Sequence, residues 1–306
     1  MNNFKNSILF RALILALTLM PSVITLLYAP APTIHINLLF HRVTDNNPEQ
    51  WDITPAKFRS ITEKYLEHYK PLNPEDFEES FEKLPEEPDW RQLKEWRNLR
   101  KSRVMFMFDD ASKEQKEAIK WLYETHKIKS TLFVVLDWIG KDNFMPIEDI
   151  LDLQNNYGTR IELHGKRHDS NPELLKAGVN LGEELEAARQ DLSKMIGKEV
   201  SWYAYPYGHH NDAVIEEIKS KTSFERAFTV ESFSVDTNQD PMQTPRIMYL
   251  ENEKGFSGTF ALWQRPPTYL FIGLFALTST LPFFIALLMF RRMDKKVHKK
   301  KKQNGL

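Results

Sequence analysis

In VMFMFDDAS, residues 104–112, an apolar run ends in two adjacent carboxylates, Asp109 and Asp110. In ELHGKRHDS, residues 162–170, His164 and His168 stand four apart. His41 closes another apolar run in LLFHRV, 38–43, and the turn YPYG occupies 205–208. Two histidines at this spacing lie on one side of a helical turn or tight loop, where both can ligate one metal ion and a carboxylate can complete a facial triad. Adjacent side chains leaving a strand point to opposite sides. One aspartate can therefore bind a metal while its neighbour, kept charged by the cation, acts as a general base. The same residues have plainer uses. Asp is a favoured N-cap, and a helix is expected to begin near Ser112; histidines four apart also serve on surfaces and at helix ends.

The surrounding periodicity supplies a frame for these residues. Apolar runs at 34–40, 103–108, 130–135, 160–163, 201–205 and 226–230 read as strands. Stretches after Thr54-Pro55, over 113–126, and near 147–156, 181–196 and 212–221 read as helices. Thr54 is the expected N-cap of the first, with Pro55 in its first turn, and Asn211 caps the last. The charged stretch 79–102 reads as a surface insertion. Strands alternating with helices, without an internal repeat, are the signature of an α/β fold with parallel strands, either an open doubly wound sheet or a barrel. In both, the chemistry sits at the carboxyl ends of the strands, and that is where the residues above fall.

The ends of the 306-residue chain differ from its middle. Residues 269–290 carry no charge, and 22 residues at about 1.5 Å each suffice to cross a hydrocarbon core of about 30 Å. The lysine-rich run after them is expected to stay cytoplasmic. Residues 12–29 are also uncharged and follow Lys5 and Arg11. They suit a signal peptide or an anchor, and Pro32, just past the small-residue site at Ala29 and Ala31, favours an uncleaved anchor. The expected organisation is a cytoplasmic N-terminus (1–11), an anchor or signal peptide (12–29), an extracytoplasmic domain (30–268), a transmembrane helix (269–290) and a basic cytoplasmic tail (291–306). Removing the tail's charges and Lys5 and Arg11 from the chain's 41 basic and 42 acidic residues leaves 30–268 with ten more acids than bases. That balance argues against a nucleic-acid-binding core. The absence of cysteine excludes disulfides and thiolate metal sites.

These segments resemble the NodB-type polysaccharide deacetylases, carbohydrate esterase family 4, which remove acetyl groups from N-acetylglucosamine-containing glycans. FDDAS is similar to the family's T-F-D-D-G, with Met107 for Thr and Ala111 for Gly. ELHGKRHDS is similar to H-[ST]-x-x-H, with Gly165 for Ser or Thr. YAYPYGHHN is similar to R-x-P-[YF]-G, with Ala204 where the Arg stands. STLFVVLDWIG matches the family's ATFFV strand and following loop. The resemblance covers about 33–250. The late L-x-x-H, which supplies the family's catalytic acid, has no counterpart. Instead LLFHRV is similar to the early Y-H-x-[VI] of the poly-N-acetylglucosamine deacetylase subgroup, with Phe40 for Tyr, and ITPAKFRSITEKY is similar to that subgroup's T-P-x-x-F helix.

The resemblance implies a distorted (β/α) barrel and hydrolysis of a linear amide, a carbon–nitrogen bond other than a peptide bond. It implies a divalent metal, most simply Zn, on Asp110, His164 and His168, with Asp109 as base, His41 as acid, and the backbone N–H of Tyr207 receiving the oxyanion. Arg246 either replaces the absent motif Arg beside Asp109 or forms a surface salt bridge. His209 and His210 are expected to face solvent. Trp138 and Trp202 either stack on sugar rings or pack in the core. With the anchors, the expected role is deacetylation of an N-acetylated glycan polymer at the outer face of the cytoplasmic membrane, beside synthase or export components. Ala111, Gly165 and Ala204 keep open a different class, a catalytically inactive glycan-binding or scaffold protein. A metal-dependent peptide amidase is a third reading, although no H-E-x-x-H is present.

Overall fold

The computed structural model describes residues 35–46, 51–81, 103–231 and 240–249, with Leu288 and Arg292 as isolated positions. The expected membrane spans 12–29 and 269–290 lie, but for Leu288, outside the described residues, as do 82–102 of the charged stretch. Among the described residues no helix is long and apolar enough to cross a membrane.

Strands buried on both faces read as unbroken apolar runs, and two such runs form the longest pairing of the sheet. They are β1 (His35–Phe40) and β3 (Arg103–Asp109), paired in parallel from His35↔Arg103 to Phe40↔Phe108. On its other edge β3 pairs first with the short β2 (Lys70–Pro71) and then with β4 (Thr131–Val134). The sheet continues through β5 (Arg160–Leu163), β6 (Trp202–Ala204) and β7 (Arg226–Phe228), and β8 (Ile247–Met248) lies against β1, all in parallel. β5 and β6 share a single registered pair, Leu163↔Tyr203. There the buried Glu162 carboxylate substitutes for ladder bonds, accepting the N–H of Ser201 at 2.9 Å and of Trp202 at 2.7 Å.

The sheet curls until its two edges meet on one segment. Thr244 accepts from Thr229 N–H and donates to the carbonyl of Ala227, beside β7, and three residues later Ile247 pairs with β1. Between the barrel and the open sheet left by the pattern of strands, the structure takes a curled half-barrel, its edges bridged by the few bonds of 244–248.

Helices α1 (Pro55–His68), α2 (Gln115–His126), α3 (Ile147–Asn156), α4 (Asn171–Lys176), α5 (Leu181–Ile196) and α6 (Asp212–Lys221) connect the strands. Thr54 and Asn211 cap as expected: Thr54 accepts from Lys57 N–H and Asn211 from Val214 N–H. α4 and β8 escape the sequence reading because six and two residues are too short to display a period.

Alternation along the strands sorts side chains into two layers. Ile36, Leu38 and Phe40 of β1, with Val104, Phe106 and Phe108 of β3, pack against the helices, among them Phe58 and Tyr65 of α1. Each such side chain contributes about 1.5–3 kcal/mol by leaving water. The opposite face, inside the curl, holds a second cluster that includes Met105, Met107, Phe133, Trp202, Ala204 and Phe228. Extended by one alternation, this inner face ends in His41 after β1, Asp109 on β3 and His164 after β5.

Candidate active site

Asp109 and His164 are each 2 % exposed, so neither is a solvated surface group. Asp109 is held from both sides by Arg246, which is fully buried; Nη1 donates to Oδ1 at 2.6 Å, Nη2 to Oδ2 at 2.9 Å, and Nε to the carbonyl of Thr229 at 3.0 Å. Arg246 lies between Thr244, bonded beside β7, and Ile247, paired with β1, so the barrel closure itself aims the guanidinium. Of the two expectations for Arg246, the buried partner of Asp109 is the one realised. Burial opposes the charge on Asp109, but the Arg246 guanidinium outweighs it and holds the carboxyl at about 2.

Strand alternation predicts that Asp110 points away from Asp109. The structure corrects this: Asp110 and Ala111 both take left-handed backbone, φ 76 and 60, and the turn brings both carboxylates to one centre. His164 Nε2 is 3.5 Å from Asp109 Oδ2 and 3.7 Å from Asp110 Oδ1. Neither aspartate caps a helix, since α2 starts only at Gln115 with Glu114 before it. Backbone bonds hold the turn: Met145 N–H donates to the Ala111 carbonyl at 2.9 Å and Lys113 N–H to that of Asn143 at 3.0 Å. Left-handed backbone costs an L-residue with a Cβ about 1–2 kcal/mol, and Asp tolerates it better than Ala. Ala111→Gly is accordingly expected to stabilise the protein by about 1 kcal/mol, allowing for the entropy glycine adds to the unfolded chain. Urea unfolding checks this, and an unchanged or lower midpoint would show that the turn is not strained at Ala111.

His164 Nδ1 lies 2.8 Å from the Ala204 carbonyl. A carbonyl only accepts, so the proton sits on Nδ1 and the Nε2 lone pair faces the carboxylates. His168 is brought round by Gly165 (φ 86), where a Cβ would meet Pro206 Cγ at 3.2 Å. The family's Ser or Thr would crowd that contact. His168 Nε2 comes to 3.6 Å from Asp110 Oδ1. Burial pulls both histidines below their ordinary range, His168 to about 4 with His164 adding to the effect, so both are neutral donors.

Asp110, His164 and His168 each offer one ligand atom, all within 4.8 Å of one another. Ligands about 2.0–2.1 Å from a shared tetrahedral cation stand roughly 3.3–3.5 Å apart, close to the 3.6 and 3.7 Å between Asp110 Oδ1 and the two histidine nitrogens. Asp110 Oδ1 is buried without a hydrogen-bond partner among the described residues, and burial, with the nearby Asp109 charge, pushes Asp110 up to about 7. A shielded oxygen lacking a donor, beside two neutral imidazoles, fits a divalent cation.

Of the remaining candidates, Tyr207 and Trp138 set their rings against His168. Tyr207, φ 59 and 57 % exposed, sets its ring 4.5 Å from that of His168. Its turn requires Gly208, because a Cβ there would meet Val230 Cγ2 at 2.2 Å. Trp138 is half-buried, its ring centred 5.1 Å from His168, whereas Trp202 is core. His209 is exposed as expected. His210 is not: it is half-buried, stacked on Tyr205 at 5.1 Å. His41 is half-buried at the end of β1. Trp51, 46 % exposed and centred 6.4 Å from the His41 ring, was missed; a tryptophan in the polar loop after β1 was its signal.

A family profile described as polysaccharide deacetylase matches residues 97–223, which carry both aspartates, both clustered histidines and the YPYG turn. Residues 97–223 carry the sequence pattern of a polysaccharide deacetylase domain. A poly-beta-1,6-N-acetyl-D-glucosamine N-deacetylase of Staphylococcus aureus is 27 % identical over 159 residues, covering 48 % of this chain and 54 % of that protein. The chain thus spans about half the length of the curated relatives it matches. In three dimensions the deacetylase domain is similar to IcaB from Ammonifex degensii, with TM-score 0.59 and 19 % identity over 76 % of this chain and 97 % of that one. It is also similar to the Streptococcus pyogenes deacetylase PplD in complex with acetate, with TM-score 0.59 and 18 % identity over 76 % and 98 %. At these identities the likeness shows a shared fold, the curled parallel deacetylase barrel.

Proposed function

We propose that this chain is a metal-dependent N-deacetylase that hydrolyses acetamide groups on a poly-N-acetylglucosamine type of glycan. The observation that carries the reading is the convergence of Asp110, His164 and His168 within 4.8 Å, beside an aspartate held ionised by a buried arginine. The relatives' names support the substrate class.

In this reading Asp110, His164 and His168 hold a divalent cation, most simply Zn, which when bound lowers the pKa of water and polarises a carbonyl. Asp109, charged and in place before substrate arrives, takes the proton of the attacking water. His41 gives a proton to the departing amine. Burial is the largest influence on His41 and pulls its pKa below the ordinary value; the Asp109 carboxylate acts in the opposite sense without reversing it. The backbone N–H of Tyr207 receives the developing oxyanion. The net change is acetamide and water to acetate and a free amine. The departures that favoured an inactive scaffold are accommodated: Ala111 adopts the left-handed turn, Gly165 is needed beside Pro206, and Arg246 serves Asp109 in the place of an Arg at 204.

The apolar stretches 12–29 and 269–290 and the basic tail support an extracytoplasmic domain at the outer face of the cytoplasmic membrane, acting on polymer as it emerges. The purified full chain is expected to release acetate from β-1,6-linked N-acetylglucosamine oligomers, to stop with a chelator and to resume with Zn. Intact cells given the oligomer outside are expected to do the same. Activity on peptide amides in place of glycans would overturn the reading, and activity only in broken cells would overturn the location.

A further inference from the structure

Gln115 is fully buried at the first position of α2, where the other buried residues are Ala118, Ile119 and Leu122. That i, i+3, i+4, i+7 stripe is the face a helix lays on its core, so an amide stands where an apolar side chain is expected. Its Nε2 donates to two backbone carbonyls, that of His41 at 3.0 Å and that of Asp109 at 2.6 Å. Because carbonyls only accept, the amide nitrogen must face them, and both its hydrogens are used. The registered pairing of β1 with β3 stops at Phe40↔Phe108, one residue short of His41 and Asp109. Beyond the ladder, the Gln115 amide ties the two strand ends together.

Helix stability does not account for this residue. Its Oε1 is buried without a hydrogen-bond partner among the described residues, a cost that an apolar side chain in the stripe would avoid. We infer that Gln115 is a positioning residue that sets the separation and orientation of His41 and Asp109, the acid and base of the proposed deacetylation. This rests on the deacetylase reading. The metal-binding residues have separate ties, Asp110 through the bonds of its turn to 143–145 and His164 through Ala204, so losing the Gln115 amide leaves the cation in place.

The test compares two variants of the purified full chain. Q115M has similar volume and no donor; Q115N keeps the amide on a side chain one methylene shorter. Displacing a reacting group by about 1 Å costs up to about a hundredfold in rate. Q115M is therefore expected to lower kcat roughly 10- to 100-fold, with KM within about twofold and cation stoichiometry unchanged, and Q115N to recover part of the loss. A kcat within about twofold of the parent in Q115M overturns the inference, as does a loss of kcat that follows loss of the cation, or a Q115N no better than Q115M. Should Q115M fail to fold, Q115L, which also lacks the donor, replaces it under the same criteria. A parent that releases no acetate from any glycan overturns the deacetylase reading and this inference together, whereas an active parent with an equally active Q115M overturns only the role of Gln115.

Discussion

Asp110→Asn is expected to abolish cation binding and to lower acetate release at least about a thousandfold, which corresponds to about 4 kcal/mol of transition-state stabilisation. His164→Ala should do the same. The two variants should differ in stability. Asp110 is a carboxyl that burial and the adjacent Asp109 make costly to ionise, and an amide of the same shape removes the charge but not the packing. The cation-free Asp110→Asn protein should therefore melt at or above the cation-free parent. His164→Ala deletes a buried ring that holds the Ala204 carbonyl and should melt lower. Metal analysis, acetate assay and thermal melts on the same preparations check all three expectations. Parental activity or cation content in either variant would remove the metal site from the mechanism.

The second large effect is expected at Arg246. Its ion pair with Asp109 lies in the barrel interior, with side-chain exposures of 0 % and 2 %. Removing one member of such a pair strands the other charge and costs about 3–5 kcal/mol, whereas removing both is often tolerated. Arg246→Met is expected to lose stability on that scale together with turnover, because Asp109 without its partner is driven by burial towards the protonated form, which cannot accept a proton. Arg246→Lys should rescue little, since one ammonium cannot match the two parallel bonds of the guanidinium. The pair Asp109→Asn with Arg246→Met is expected to recover most of the stability and none of the activity. Urea unfolding of the single and double variants supplies the cycle. A cost below about 1 kcal/mol for Arg246→Met would mean that the site is held by something other than this pair.

What could be read from the sequence was whatever leaves a local pattern. The apolar runs placed β1, β3 and β5, and the strand-end rule placed His41, Asp109 and His164. Three things were hidden for physical reasons. The convergence of both aspartates depends on left-handed backbone at Asp110, which no periodicity encodes, and at Ala111, where the Gly of the similar motif was the hint. The choice between the two roles of Arg246 depends on a contact 137 positions away in the chain. Gln115 did leave a trace, a polar residue opening the apolar stripe of α2, and such an exception in an otherwise regular helix face is where a tie to the site was to be sought.

The closure at 244–248 also sets when this fold can be completed. Synthesis runs from the amino end, so β1, both aspartates and both clustered histidines leave the ribosome well before Arg246, and Asn37 waits for the Pro245 carbonyl across 208 positions. Contacts so distant in sequence form late and slow a fold. Until they form, the barrel is an open sheet and its central carboxylate has no counterion. Pairing of Asp109 with its counterion and closure of the sheet are thus one event.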